Sequence, residues 1–222
     1  MKLFLDTGDA ESIRTAQLTG LLDGVTTNPS LIARTGRDFR EVAAEICRLV
    51  PGPVSIEAMA DNAEAMVAEA EDIRGLGPNV VVKIPMTAQG LKAVPVLERD
   101  RKIKTNVTMI FSATQAFLAM KAGASYISIV LSRLDAVGND SGALISDTML
   151  IKANYRFTSQ VIAGSVKTQN HVLHCLRAGV DVATVPEALF FQLFEHPLTE
   201  KGLEGFRSDW NRSRVTAAGV VG

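Results

Sequence analysis

The sequence predicts an α/β fold in which short β-strands alternate with α-helices along the whole chain. Eight apolar segments rich in β-branched residues start roughly 25 residues apart, which is the spacing of successive β-strand–α-helix units. Helical patterns fill the intervals, and no glycine-rich GxGxxG motif follows the first strand. Eight regular units favour a closed (β/α)8 barrel, with an open doubly wound sheet as the alternative fold.

The predicted strands are the segments in which apolar and β-branched residues follow one another. They span residues 2–6, 24–27, 53–58, 79–85, 104–110, 126–132, 159–164 and 181–186. Asp61 followed by Glu64 has the form of a capping box, which predicts a helix start. Gly75, Gly123 and Gly179 stand where helices should end, in positions suited to a left-handed cap.

Length and composition predict a single barrel domain over residues 1–222. The chain has 222 residues, of which 47 % are hydrophobic, enough for one large core. Leu203, Phe206 and Trp210 recur at helical spacing, which predicts an extra, amphipathic C-terminal helix at about 199–212. The remaining residues, 213–222, are predicted to form a flexible tail.

Charge and hydropathy exclude several classes of partner. The formal net charge of −1 gives no broad field that would attract nucleic acid or an anionic membrane. No apolar stretch is long enough to span a bilayer, and the N-terminal residues lack the apolar core of a signal peptide. Two cysteines imply no disulfide framework, so we expect a cytoplasmic protein without nucleic-acid or membrane partners.

Polar residues interrupt the apolar strands near their carboxyl ends. Seven of the eight strands carry such a residue, and only the eighth is expected to end without one. The polar residues are Asp6, Thr26, Thr27, Asn28, Glu57, Lys83, Asn106, Thr108, Ser128 and Ser165. In a (β/α)8 barrel these strand ends meet at one mouth, where active sites are built. Each residue alone could be turn chemistry, and Lys83 could form a structural ion pair with Glu57. Seven strands sharing the pattern favour a site.

Lys83 lies in the middle of an apolar strand, in the segment NVVVKIP. A buried ammonium is unfavourable unless it is paired or gives up its proton. A neutral Lys amine attacks ketones to form a Schiff base, and such chemistry needs carboxylates to move protons. Asp6 and Glu57 are the carboxylates at strand ends, and Thr108 supplies a hydroxyl. The residue set indicates Schiff-base carbon–carbon chemistry.

Several longer motifs carry a family resemblance. The segments LDTGD, GVTTNPSLIA, VVKIPMTAQGLKAV, NVTMIFSATQAFLAMKAGA and AGSVKT resemble the transaldolase family, in its short-chain branch similar to fructose-6-phosphate aldolase. The resemblance runs from Met1 to about Arg212. It implies a (β/α)8 barrel that needs no metal and no organic cofactor, and a homo-oligomer that is a pentamer or a decamer.

The resemblance also implies a reaction and residue roles. A dihydroxyacetone unit would pass from fructose 6-phosphate or sedoheptulose 7-phosphate to an aldose phosphate, in the pentose phosphate pathway. Lys83 would form the Schiff base, Asp6 would act as acid/base, and Glu57 with Thr108 would hold the catalytic water. Asn106 also counts as a catalytic residue. Asn106 and Asn28 would form hydrogen bonds with hydroxyl groups of the donor sugar. The substrate-binding residues are Thr26, Asn28, Ser128, Arg133, Ser165 and Lys167, the last three of this set forming a phosphate subsite.

Two features bear on the alternatives to a transaldolase. Ile129 and Val130 stand where the family usually has proline and an aromatic residue, which implies a smaller pocket wall. A fructose-6-phosphate aldolase would release free dihydroxyacetone, and a non-catalytic barrel would only bind sugar phosphates. His171 and His174 lie three apart on a predicted helix, but no third ligand is near in sequence, so no metal site is expected.

Overall fold

A closed barrel forms the centre of the molecule. The structure is a computed structural model that describes residues 1–218, with side chains as far as residue 213. Within this range eight parallel strands pair in chain order, and the last pairs with the first. They are β1 (Lys2–Asp6), β2 (Gly24–Thr26), β3 (Val54–Glu57), β4 (Val80–Pro85), β5 (Thr105–Ile110), β6 (Tyr126–Val130), β7 (Gln160–Gly164) and β8 (Val182–Val185). The predicted (β/α)8 barrel is confirmed, and the open sheet is excluded.

Helices occupy the connections between consecutive strands, and two more helices follow β8. They are α1 (Ala10–Gln17), α2 (Pro29–Ala33), α3 (Phe39–Leu49), α4 (Ala63–Arg74), α5 (Ala88–Pro95), α6 (Ala113–Lys121), α7 (Leu131–Asp135), α8 (Ser141–Tyr155), α9 (Gln169–Ala178), α10 (Glu187–Gln192) and α11 (Pro197–Ala218). Helix α5 continues into a π-helical turn at Val96–Asp100, directly after Pro95. Proline lacks the backbone N–H that an α-helix would use there, so the hydrogen bonds change register.

The apolar core has two parts, one inside the barrel and one between strands and helices. The inner part consists of five residues from five strands: Phe4, Val81, Tyr126, Ile162 and Val182. Successive side chains of a strand point to opposite faces, so a residue two positions later also faces the barrel interior.

Polar residues occupy four of these later positions. Two residues beyond Phe4, Val81, Tyr126 and Val182 stand Asp6, Lys83, Ser128 and Thr184. The interior therefore changes from apolar to polar in a single step toward the carboxyl ends of the strands.

The helix ends differ in part from the predicted ones. The capping side chain of α4 is Asn62, not Asp61, and its Oδ1 accepts a hydrogen bond of 2.9 Å from the Ala65 backbone N–H. Asn caps a helix as well as Asp does, so the sequence pattern could not show which of the two adjacent residues is the cap. Gly123 and Gly179 adopt left-handed φ values of 91° and 73°, whereas Gly75 stays right-handed.

Helix α11 extends away from the barrel at the end of the described chain. It continues through Ala218, beyond the predicted helix 199–212 and into the predicted tail, where Ala217 and Ala218 favour helix. Residues 219–222 lie outside the described residues. Leu203, Phe206 and Trp210 are 46 %, 73 % and 64 % exposed, so the apolar stripe of α11 is uncovered in the single chain. Among the described residues no helix has the length and apolar content needed to cross a bilayer.

Candidate active site

A cavity of about 720 Å³ opens at the carboxyl ends of the strands. Each strand contributes one or more wall residues: Asp6, Thr26, Glu57, Lys83, Thr108, Ser128, Val130, Gly164 and Thr184. The segments after the strands add, among others, Asn28, Arg133, Ser165 and Lys167. Every site residue predicted from the sequence therefore lines this one cavity, with the exception of Asn106.

Lys83 places its amine at the cavity wall with two hydrogen-bond acceptors. Its Nζ donates to the Thr27 carbonyl oxygen at 2.9 Å and to Glu57 Oε2 at 3.1 Å. Glu57 and Lys83 are direct partners in the β3–β4 register, which sets the carboxylate against the amine. Only 8 % of Lys83 is exposed, so these two contacts satisfy a nearly buried ammonium. The same short contact gives the proton of that ammonium a direct path to Glu57.

Asp6 ends a chain of hydroxyl groups that crosses three strands. Thr26 Oγ1 donates to Asp6 Oδ1 at 2.8 Å and lies 2.7 Å from Thr184 Oγ1. A hydroxyl has one hydrogen, so Thr26 donates to Asp6 while Thr184 donates to Thr26. Both threonines are buried. The chain fixes the orientation of the Asp6 carboxyl group.

Burial raises the pKa of Asp6 above its ordinary value. The hydrogen bond from Thr26 acts in the opposite direction, as do the positive charges of Lys83, Lys167 and Arg133. Desolvation penalises the ionised form of a buried carboxyl group. At Asp6 this effect is larger than the combined effect of the hydrogen bond and the positive charges. A carboxyl group with a raised pKa is suited to both accepting and returning a proton.

Asn106 lies one layer below the cavity. It is fully buried, its Nδ2 donates to Ser55 Oγ at 3.2 Å, and its Oδ1 accepts from Ser128 Oγ at 2.8 Å. Its side chain therefore reaches the cavity through Ser128, which is a wall residue. Strand alternation predicted the correct face for Asn106 but not its depth.

Asn28 stands at the start of the short helix α2, which forms one side of the mouth. Its Oδ1 accepts a hydrogen bond of 3.0 Å from the Leu31 backbone N–H, so its Nδ2 is the group available to the cavity. Gly8 holds this helix close to β1. A β-carbon at Gly8 would lie 2.8 Å from the Leu31 carbonyl, so the loop after β1 needs glycine there.

The opposite side of the mouth carries two cations. Arg133 lies in α7, and Lys167 follows Ser165 in the loop after β7. Within residues 1–213 neither cation has a carboxylate partner, and the Arg133 guanidinium contacts Met109 Sδ at 3.8 Å. Ser165 has a left-handed φ of 54°, which is uncommon for a residue other than glycine. Its carbonyl accepts hydrogen bonds from the backbone N–H and the hydroxyl of Ser132.

Residues 3–217 match the family model described as Transaldolase/Fructose-6-phosphate aldolase. The chain belongs to this family. It is 53 % identical over 210 residues to a "Probable transaldolase" of Methanococcus maripaludis, covering 95 % of this chain and 97 % of that protein. It is 51 % identical over 212 residues to a "Probable transaldolase" of Pelotomaculum thermopropionicum, covering 96 % and 98 %. The resemblance seen in the sequence motifs is confirmed.

A solved structure of low sequence identity shares the barrel. Thiamine phosphate pyrophosphorylase from Pyrococcus furiosus superposes with a TM-score of 0.59 at 17 % identity, covering 85 % of this chain and 87 % of that one. At this level of identity the likeness concerns the fold alone.

Thr184 and Arg34 are among the cavity residues of this transaldolase-family chain that the sequence patterns did not indicate. Thr184 lies on β8, the strand that was expected to lack a polar residue near its end. Its position two residues after the buried Val182 is a signal that strand alternation could have detected. Arg34, at the end of α2, also lines the cavity. No strand pattern points to Arg34, because only tertiary packing brings α2 to the mouth.

Ile129 and Val130 on β6 are the two residues at which the sequence resemblance implied a smaller pocket wall. Ile129 is fully buried in the core between strands and helices, so it does not border the cavity. Val130 does line the cavity. Of these two residues, Val130 alone therefore contributes to the cavity wall.

Neither of the two histidines of α9 belongs to a candidate metal site in the part of the chain that the structure describes. Among the described residues no cluster of three or more His, Cys, Asp or Glu side chains could hold a metal ion. His174 is exposed, whereas His171 contacts Asp135 at 3.0 Å.

Proposed function

We propose that this chain is a transaldolase that transfers a dihydroxyacetone unit through a Schiff base at Lys83. The donor is a ketose phosphate, fructose 6-phosphate or sedoheptulose 7-phosphate, and the acceptor is an aldose phosphate of the pentose phosphate pathway. The observation that carries the proposal is a nearly buried amine 3.1 Å from the Glu57 carboxylate, in a cavity that also contains Asp6.

In the first step the amine of Lys83 attacks the C2 carbonyl of the donor. Glu57 accepts a proton from the ammonium across their contact, which frees the nitrogen lone pair. The carbinolamine then loses its oxygen as water, after the same carboxyl group returns a proton to that oxygen. Glu57 and Thr108 hold this water, and the product of the step is an iminium ion.

In the second step Asp6 accepts the proton of the C4 hydroxyl. The electron pair of the C3–C4 bond moves into the iminium, so an enamine forms on Lys83 and an aldose phosphate leaves. With an acceptor aldehyde the steps reverse: C3 of the enamine attacks the carbonyl carbon and Asp6 returns its proton to the oxygen. Hydrolysis of the new iminium releases the product ketose and regenerates the amine.

The remaining wall residues bind and orient the sugar. Arg133, Ser165 and Lys167 form the phosphate subsite, since two cations without carboxylate partners in the described part of the chain suit a dianion. Asn28 and Ser128 bind the hydroxyls of the donor, and Asn106 orients Ser128 from below. Thr26 orients Asp6.

Glu57 favours transfer over release of free dihydroxyacetone. The resemblance places Glu here in transaldolases and Gln in fructose-6-phosphate aldolases. A carboxylate can accept a proton from the catalytic water, whereas an amide can only orient it. The aldolase activity is therefore the second candidate, and a sugar-phosphate-binding barrel without turnover is the third.

A coupled assay with fructose 6-phosphate tests this function. With Glu57 present, we expect slow turnover of fructose 6-phosphate alone and a rate at least about 10-fold higher when erythrose 4-phosphate is added. Glu57→Gln should reduce transfer and increase the share of free dihydroxyacetone. Glu57→Ala is the comparison variant, because it removes both the base and the hydrogen bond to Lys83.

Two results would contradict the transaldolase proposal. Equal release of dihydroxyacetone with and without erythrose 4-phosphate would assign the aldolase activity. Binding of fructose 6-phosphate without any turnover, under both conditions, would assign the non-catalytic barrel.

The chain is further proposed to act as a homo-oligomer in the cytoplasm. The uncovered apolar stripe of α11, formed by Leu203, Phe206 and Trp210, supports association with another copy of the chain. Truncation before Leu203 should lower the mass measured by light scattering, toward that of a monomer. A monomeric mass for the intact chain would contradict the proposal.

A further inference from the structure

Two segments carry Arg133 and Lys167, the cations of the proposed phosphate subsite, and these segments are joined by hydrogen bonds at two places. One segment is α7 with Arg133, and the other is the loop of Ser165 and Lys167. The inner tie joins Ser132 to the Ser165 carbonyl oxygen. The outer tie runs through His171, the histidine for which no catalytic or metal-binding role was found.

The contacts of His171 define its tautomer. Its Nδ1 accepts a hydrogen bond of 3.3 Å from the Lys167 backbone N–H, so Nδ1 carries no proton. Its Nε2 lies 3.0 Å from Asp135 Oδ2 and donates to it, so the proton is on Nε2. Asp135 Oδ1 accepts a hydrogen bond of 3.1 Å from the Ser141 backbone N–H, which fixes the orientation of the Asp135 carboxylate.

The imidazole is not needed to cap α9. Thr168 already does so, because its Oγ1 accepts a hydrogen bond of 3.2 Å from the His171 backbone N–H. The side chain of His171 is 15 % exposed and makes both of its contacts outside its own helix turn. It connects the backbone of Lys167 with a residue two positions after Arg133.

We propose that His171 is a positioning residue of the phosphate subsite, in which the neutral imidazole sets the spacing between Arg133 and Lys167. This inference rests on the proposed function, because it takes Arg133, Ser165 and Lys167 as the groups that bind the substrate phosphate. His171 itself does not line the cavity. It acts through its hydrogen bond with the Lys167 backbone N–H. Without this bond, the loop of Ser165 and Lys167 would be joined to α7 only by the hydrogen bonds between Ser132 and the Ser165 carbonyl oxygen.

Two substitutions separate the contacts of His171. Glutamine can place a donor near the position of Nε2, which retains the contact with Asp135 but removes the acceptor for the Lys167 N–H. Asparagine can place an acceptor near the position of Nδ1, which retains the contact with Lys167. The substitution of the neighbouring exposed histidine, His174→Gln, is the matched control on the same helix.

The experiment compares the intact enzyme's kinetics with fructose 6-phosphate and with fructose as donors. We expect His171→Gln to raise the KM for fructose 6-phosphate about 5-fold with little change in kcat, and to leave kcat/KM for fructose unchanged. His171→Asn should recover most of the wild-type KM. Arg133→Ala, in the subsite itself, should raise the KM for fructose 6-phosphate at least about 10-fold.

The outcomes separate the inference from the proposal beneath it. If Arg133→Ala affects both donors equally, the phosphate subsite is wrong. If Arg133→Ala acts selectively while His171→Gln behaves like His174→Gln, or lowers activity toward both donors equally, the positioning role of His171 is wrong. Nitrogen-15 NMR of the imidazole gives a readout independent of turnover. It should show the proton on Nε2 at neutral pH, and a proton on Nδ1 would overturn the inference.

Discussion

Lys83→Met should lower turnover by more than about 1,000-fold, because it removes the amine proposed to form the iminium, and Lys167, the second lysine of the cavity, lies at the mouth in the proposed phosphate subsite. Methionine keeps the length and apolar contacts of the lysine stem, so the barrel should stay folded, as circular dichroism can verify. Glu57 loses its cation in this variant, which can reduce stability. Lys83→Ala provides a second variant with the same expected loss.

Borohydride trapping identifies the nitrogen directly. Hydride reduces an iminium to a stable secondary amine, so borohydride added together with fructose 6-phosphate should inactivate the enzyme. Peptide mass spectrometry should find a reduced three-carbon unit on Lys83. Borohydride without the donor is the control and should leave activity intact. A label on a different lysine, or an enzyme that stays active and unlabelled, would show that the Schiff-base assignment is wrong.

Asp6→Asn should lower kcat by at least about 100-fold, because the amide cannot accept the proton of the C4 hydroxyl. Formation of the iminium at Lys83 does not require that proton transfer. Borohydride should therefore trap the intact six-carbon donor on Lys83 of Asp6→Asn, where the wild-type enzyme gives the three-carbon unit. Recovery of the three-carbon unit from the variant would mean that another group cleaves the C3–C4 bond.

The raised pKa of Asp6 also sets the sign of a pH effect. Cleavage needs the ionised carboxylate, so activity should fall as the pH drops through the pKa of Asp6. The Thr26 hydroxyl lowers that pKa, and its loss in Thr26→Val should move the acidic limb of the kcat profile to higher pH. Thr26→Ser retains the hydroxyl and should behave like the wild-type enzyme.

The sequence predicted the barrel and most of its cavity because both depend on patterns within single strands. Apolar strands at regular spacing determine the closed sheet, and the polar residues near the strand ends include the cavity-facing side chains of Asp6, Glu57, Lys83 and Thr108. The same alternation contained Thr184, which lies two residues after Val182. Thr184 was overlooked because a polar residue was expected at the very end of β8 and not at an inward-facing position before the end.

Contacts between distant segments were beyond sequence patterns. The depth of Asn106 depends on Ser55 and Ser128, which lie on the two neighbouring strands. The contacts of His171 join residues from α7 and from the loop after β7, and no local spacing indicates them. Such contacts depend on how the loops fold over the barrel.

The cavity is closed at its base by the apolar layer of Phe4, Val81, Tyr126, Ile162 and Val182. Among the described residues, this apolar layer fills the barrel below Lys83, so the cavity is open only toward the mouth. In the proposed reaction, the aldehyde released from the donor would therefore leave through the same opening by which the acceptor enters, and the two could not occupy the cavity together. In the proposed mechanism the two aldehydes would compete for the enamine on Lys83, and their relative concentrations would decide which of them it captures.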